Sequence, residues 1–353
     1  MFSVEHHQIS CSADNLLPCA KQVTSWSHLW AMAHVRDMAE HLGLDADVMR
    51  YNATLKTLSA AYHTLYWDPT ASSYRGGTQT ANLLPLLLDI PTPQARQQAE
   101  AALVQSLAAH GNTTTSGIVG AAFVLDALLQ AGRGDIALEM ALKTTRPSWG
   151  FMVTQGPGTI WETWTDSSNS HNHPALTASI GTYLYRIAGI DPRSWTDGVV
   201  SFNPEPNCVR TIRSASAEVD TAHGLAAVQW SYSSSLFYMH ATVPHGARKG
   251  RLYLHVPPDA QNTPATTRMC LSVDPPELTV GRHTPCTMAD DVVCAAGGAE
   301  GLASAARQWD NVRRTSDVVL SVSSLSPRNE PAQVILEVVS GTHAVRLQVC
   351  PQP

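Results

Sequence analysis

The sequence predicts a multidomain α-then-β fold, helices in series followed by an antiparallel β-sandwich. Three observations predict it. Apolar residues recur at helical spacing through roughly the first 190 residues, short runs of period two replace them, and glycine and proline punctuation becomes dense at the change. The chain has 353 residues, enough for about two domains. Its composition is 44% hydrophobic and 15% charged, ample for a packed core.

The first helix is read over residues 26–42, with apolar positions at 26, 29, 30, 33, 35, 38, 39 and 42 and Gly43 as its cap. A second covers 48–66, with Leu55, Leu58, Tyr62 and Leu65 on one face and Asp68-Pro69 as the breaker. A third, 79–88, stops at Asp89-Ile-Pro91, and a fourth, 93–110, stops at Gly111. The fifth, sixth and seventh are read over 117–130, 135–143 and 173–188, the last closed by Gly189-Ile-Asp-Pro192. Short connections between such helices favour antiparallel neighbours. The loops 67–79 and 109–116 are polar and glycine-bearing, and loops seated on a helical scaffold are where binding groups sit.

Alternating runs at 251–256, 317–322, 333–338 and 344–349 are read as strands of the sandwich, while 258–301 has weak periodicity and is partly irregular in this reading. The domain boundary falls near 191–195, giving domains 1–194 and 195–353. No fixed-period repeat is present, which argues against a solenoid.

Charge and cysteine usage exclude several functions. The net charge is −6 and no lysine- or arginine-rich run exists, so nucleic acid is not an expected partner. The apolar runs 83–88 and 118–129 are too short or too interrupted to span a bilayer, so no membrane association is expected. The first residues lack the basic start and apolar stretch of a secretory signal, which points to the cytoplasm. Seven cysteines without a Cys-x-x-Cys pair argue against a disulfide framework or a zinc site, although Cys286 and Cys294 could pair across a loop. No cofactor is implied.

Residues 147–164 carry the strongest chemical signal. They hold Trp149, Trp161, Trp164, three glycines and a single carboxylate, Glu162, and Ser170-His-Asn-His173 follows. Indole faces offer flat platforms to a sugar, glycines allow close backbone approach, and a carboxylate among them can accept or donate a proton. The segment reads as a carbohydrate site with one catalytic acid, or else as a buried aromatic turn with a solvated Glu162. His173 is a sugar contact or a cap for the following helix. Gln79 and Arg75 either hydrogen-bond a sugar or fix their own loop. His171 and His173 lack a third ligand at metal-binding spacing.

In order along the chain, Tyr74-Arg-Gly-Gly-Thr-Gln-Thr-Ala-Asn82, Thr115-Ser-Gly-Ile-Val-Gly120, Pro147-Ser-Trp-Gly150, Gly158-Thr-Ile-Trp-Glu-Thr-Trp164, Ser170-His-Asn-His173 and Leu184-Tyr-Arg-Ile-Ala-Gly-Ile190 form one series. That series resembles the C-terminal part of the bacterial-type α-L-rhamnosidases over residues 20–195. Over 196–353 the resemblance rests on Trp230 and the run 251–256. It implies an (α/α)6 toroid followed by a β-sandwich, and inverting hydrolysis of terminal α-L-rhamnose. Inversion needs two carboxyl groups about 6.5–9.5 Å apart, one to protonate the leaving oxygen and one to activate water. By the resemblance Glu162 is the general base, His173 contacts the sugar, Trp149 and Trp161 wall the pocket, and Asp14 matches an upstream acid; Trp164 and Gln79 are further candidate substrate-binding positions.

The chain departs from the family upstream. No run resembling Asp-Cys-Pro-x-Arg-x-Glu, which carries the family's general acid, is present, and Asn15 stands where a tryptophan follows the acid matched by Asp14. Seven helices cannot close a ring of twelve. The expectation is therefore the latter part of the toroid plus the sandwich, either an enzyme whose ring a longer chain or a second polypeptide completes, or a non-catalytic carbohydrate-binding or interaction protein derived from that fold.

Overall fold

The computed structural model describes residues 16–164, 170–195, 198–205, 211–234, 236–255, 268–274, 292–296, 318–321, 333–338 and 341–350. The chain forms two compact units, Met1–Gly181 and Thr182–Pro353.

The first unit is helical. α1 (Leu16–His41) and α2 (Asp45–Tyr66) pack on each other across a tight reversal. Gly43 takes φ +68°, and Leu44 N–H reaches back to Ala39 O at 2.9 Å, which ends α1 as a left-handed glycine cap does. Asp45 and Asp47 then open α2, where carboxylates suit the positive end of the helix dipole. A small hairpin, β1 (Trp67–Asp68) and β2 (Ser73–Tyr74), interrupts the loop that follows. α3 (Gln79–Leu87) is capped by Thr78 and is buried through residues 79–86. α4 (Pro93–Ala109) has a Thr92 cap, Pro93 in its first turn, and buries Ala95, Ala99, Leu103 and Leu107 at steps of four.

The single helix read over 117–130 is two, α5 (Ile118–Ala121) and α6 (Val124–Gln130). Phe123 breaks the run. Its ring packs within 5.2 Å of Trp26 and 5.0 Å of Trp30, and Leu125 N–H bonds the Ser179 hydroxyl instead of a helix carbonyl. α7 (Gly134–Leu142) follows as expected, and α8 (Trp149–Gln155) was not foreseen as a helix. Ser148 Oγ caps α8 by accepting from Phe151 N–H at 3.0 Å. Before α9 (Thr177–Ala188), residues Pro174–Leu176 form a single 3-10 turn.

The second unit is a sandwich of two sheets. One has the order β10-β11-β7-β3, built from β3 (Val199–Phe202), β7 (Lys249–His255), β10 (Val318–Ser321) and β11 (Gln333–Val338). The other has the order β4-β5-β6-β12-β8-β9, built from β4 (Ser214–Thr221), β5 (Gly224–Tyr232), β6 (Leu236–Val243), β8 (Arg268–Asp274), β9 (Val292–Ala296) and β12 (Gly341–Cys350). Pairing is antiparallel throughout, except that β3 runs parallel to β7. The sheets meet at β6 and β7, which bury Phe237, Met239, Ala241 and Val243 against Leu252 and Leu254. Gly250 permits that approach, since a Cβ there would lie 2.4 Å from Val243 Cγ2. Within the stretch read as partly irregular, β8 and β9 pair, and their register sets Cys270 opposite Cys294. Cys286 lies outside the described residues.

Candidate active site

The segment around Glu162 gets its shape from backbone pairing. Glu162 N–H donates to Ser170 O at 2.9 Å, and His173 N–H donates to Ile160 O at 2.9 Å. The Thr159 hydroxyl bonds His171 O. Residues 159–162 and 170–173 thus lie alongside each other, which brings Glu162 and His173 into one neighbourhood. The Glu162 carboxylate is half-buried, and its Oε2 accepts from Ser170 N–H at 3.2 Å. One oxygen is held by the backbone, and among the described residues the other has no hydrogen-bond partner.

The tryptophans lie beneath this surface. Trp149, Trp161 and Trp164 are 3%, 2% and 8% exposed. Trp149 Nε1 donates to Leu176 O at 2.6 Å, and Trp164 Nε1 donates to Ser116 O at 2.8 Å. Their rings meet edge to face, with centroids 5.3 Å apart and planes at 75°. Such a pair adds to the burial of its area and locks both side chains. Trp161 stacks on His171, with centroids 4.2 Å apart and planes within 14°. Its indole N–H has no hydrogen-bond partner among the described residues.

His173 does cap the helical turn that follows it. Its Nδ1 accepts from Ala175 N–H at 3.0 Å. An accepting Nδ1 places the ring proton of the neutral form on Nε2, the atom the cap does not use. Capping and sugar contact therefore use different atoms and are compatible. Gln79 is 1% exposed, and both ends of its carboxamide bond the loop at Thr113 and Thr115. Asp14 lies outside the described residues.

Sequence reading missed Ser170, Ser116 and the stacked His171. The polar run Thr113-Thr-Thr-Ser116 was the available signal, because a buried run of that kind needs side chains to satisfy its backbone. Among the described residues no group of three His, Cys, Asp or Glu side chains is placed to hold a metal ion. Nor is any described helix long and apolar enough to cross a membrane.

Comparison with known proteins gives this geometry a family. Residues 20–188 match the bacterial alpha-L-rhamnosidase 6 hairpin glycosidase domain, and residues 189–268 match the bacterial alpha-L-rhamnosidase C-terminal domain. The chain belongs to the bacterial α-L-rhamnosidase family. This rhamnosidase-family chain is 29% identical over 217 residues to an alpha-L-rhamnosidase of Formosa agariphila, covering 58% of the chain and 23% of that protein. It is 29% identical over 225 residues to an alpha-L-rhamnosidase of Streptomyces avermitilis, covering 60% of the chain and 22% of that protein. The chain thus spans about a quarter of the length of the curated relatives it matches.

The fold has the same kin. A Streptomyces avermitilis alpha-L-rhamnosidase solved with L-rhamnose superposes with a TM-score of 0.68 at 21% identity, covering 96% of this chain and 27% of that one. The alpha-L-rhamnosidase from Dictyoglumus thermophilum superposes at 0.67 and 19% identity, covering 92% and 31%. The rhamnosidase family's helical-hairpin domain followed by its sheet-rich C-terminal domain is the architecture described above.

Proposed function

We propose that this chain carries the water-activating half of an inverting α-L-rhamnosidase site, acting on the terminal α-L-rhamnose of a glycoside or oligosaccharide. Glu162 is the general base. One of its oxygens is fixed by Ser170 N–H, so the other points in a set direction, as removing a proton from an attacking water demands. This half-held, half-buried carboxylate is the observation that carries the reading. His173, on the segment paired with that of Glu162, keeps Nε2 for the sugar, and the buried Trp149, Trp161 and Trp164 form the rigid support of the pocket wall.

The general acid comes from elsewhere, because no upstream run in this sequence matches the family's acid motif. The earlier hairpins, carried by a longer chain or by a second polypeptide, would supply it, and α1 and α2 offer the face for them. A groove of about 680 Å³ lined by Leu29, Leu58, Tyr62, Leu65 and Tyr66 lies between them. The working division of the chain is a helical glycosidase part, 1–194, and a β-sandwich, 195–353.

The test is turnover of p-nitrophenyl α-L-rhamnoside by the purified chain, alongside rhamnose titration by calorimetry. Without an acid, turnover of a rhamnoside with a sugar or alkyl leaving group is expected to be reduced by about 10²–10⁴-fold relative to a complete site, and that of the p-nitrophenyl substrate by less, because p-nitrophenolate leaves without a proton. Residual turnover disappears in Glu162→Gln while rhamnose affinity stays within a few-fold. NMR of the first-formed sugar reports the inverted anomer. Rhamnose binding with no turnover that Glu162→Gln can remove would overturn the catalytic assignment.

A further inference from the structure

We propose that Gln79 is a positioning residue that sets the Glu162 segment through the 113–116 loop and Trp164, and that it does not bind the sugar. The inference rests on the rhamnosidase reading of Glu162 for its functional half only.

A carboxamide carries an acceptor and a donor side by side, as a peptide group does. Gln79 uses both on the loop: Nε2–H donates to Thr113 O at 3.2 Å, and Oε1 accepts from Thr115 N–H at 2.8 Å. It therefore plays the part of a neighbouring strand for a loop that has none. Thr113, Thr114 and Ser116 are buried and Thr115 is half-buried, so the backbone of this loop has little access to water. Thr114 Oγ1 accepts from Ser116 N–H at 3.1 Å and completes the constraint.

The fixed loop then acts on the site. Ser116 O receives the Trp164 indole N–H at 2.8 Å, and Trp164 follows Glu162 by two residues. The Trp164 ring meets Trp149, whose own N–H holds Leu176 O in the turn capped by His173. A connected set of hydrogen bonds and one ring contact thus runs from Gln79 to both segments of the candidate site. Gln79 itself stands in the first turn of α3, a helix buried through residues 79–86 and capped by Thr78. Its base is rigid.

Side-chain chemistry explains why glutamine suits the position. Asparagine is one methylene shorter, glutamate cannot donate to Thr113 O, and methionine has the length without either polar atom.

The experiment uses the full chain labelled with 5-fluorotryptophan. Fluorine NMR resonances of Trp149 and Trp164 are assigned by single Trp→Phe replacement. In Gln79→Met, with a melt that stays cooperative, the Trp164 and Trp149 resonances are expected to move or broaden while that of Trp230 stays in place. Gln79→Glu, which keeps the acceptor for Thr115 N–H but sets a buried oxygen against Thr113 O, is expected to move the same two resonances. Turnover by the wild type is expected to lose kcat by roughly 10²-fold in Gln79→Met with KM nearly unchanged, as for a displaced reacting group. Trp164→Phe is expected to give a similar loss, and the pair Gln79→Glu with Trp164→Phe to be non-additive. That cycle keeps the test decisive if Gln79→Met does not fold. An unmoved Trp164 resonance, an additive pair, or a raised KM at constant kcat would overturn the proposal. If the wild type neither binds nor cleaves a rhamnoside, the rhamnosidase reading falls, and the fluorine resonances still decide whether Gln79 holds Trp164.

Discussion

His173 separates two roles on one imidazole, and substitution can separate them in turn. Its Nδ1 caps the turn Pro174–Leu176, while Nε2 is the atom proposed to meet the sugar. His173→Ala is expected to cost about 1 kcal/mol, the usual worth of a lost cap, read from denaturant unfolding. His173→Asn restores the cap, and with it the stability, but not the rhamnose affinity, which calorimetry would report. A second histidine gives a pH dependence. His63 is held below its ordinary pKa of 6.5 by burial, with its Nδ1 3.0 Å from the Tyr74 hydroxyl. The unfolded chain then takes the proton more readily than the folded one, so this contribution lowers stability as pH falls through about 6.5 and vanishes above it. The melting temperature measured from pH 7.5 down to 5.5 should fall less steeply in His63→Gln than in the wild type. At this scale the sequence was informative about chemistry and poor on exposure. An acid among tryptophans was legible at Glu162, but nothing local to Trp149 or Trp164 said that their N–H groups would be used on Leu176 and Ser116, because those partners are 27 and 48 residues away.

The elements that carry the site fit closely enough for one methyl group to matter. α8 ends at Gly156, where an added Cβ would lie 2.8 Å from Trp161 Cζ2 and 2.9 Å from Met152 O. The φ of −120° is open to any residue, so glycine is needed there for space and not for conformation. Gly156→Ala is expected to destabilise by about 1–3 kcal/mol and to push Trp161 off His171, with a change in tryptophan emission below the melting transition. Emission and stability both unchanged would show that the segment gives way freely. Helix boundaries were legible where the signal is local, as at Pro93 after Thr92, which opens α4, or at Gly43, which closes α1. α8 was not legible, because its seven residues hold two glycine-flanked aromatics and too few turns to show a period. Nor were β4 and β5, where serine and alanine at many positions blur the alternation that Val, Ile and Leu mark clearly in β11.

At the scale of the whole molecule, the question is what covers the outer faces of α1 and α2. The family domain matched by residues 20–188 has six hairpins, two helices each, and nine α-helices lie among the described residues. Met38 on α1 and Met49 on α2 are 62% and 68% exposed, and Val35, Leu42, Leu44 and Leu65 are also open to solvent. Single apolar residues at a surface mean little, but four on two adjoining helices and two more in the turn that joins them, beside an apolar groove, are a face built to be covered. The isolated chain is therefore expected to self-associate in a concentration-dependent way in sedimentation experiments and to bind an apolar dye. Met38→Glu with Met49→Glu should suppress both. Exposed positions tolerate such changes within about 0.5 kcal/mol, so the melting transition should hardly move. The same double variant should fail to regain turnover when a polypeptide carrying the earlier hairpins and their acid is added, whereas the wild type should regain it. A chain that is monomeric at all concentrations and silent to the dye would show that α1 and α2 are content in water, and would remove the case for a completing partner on this face.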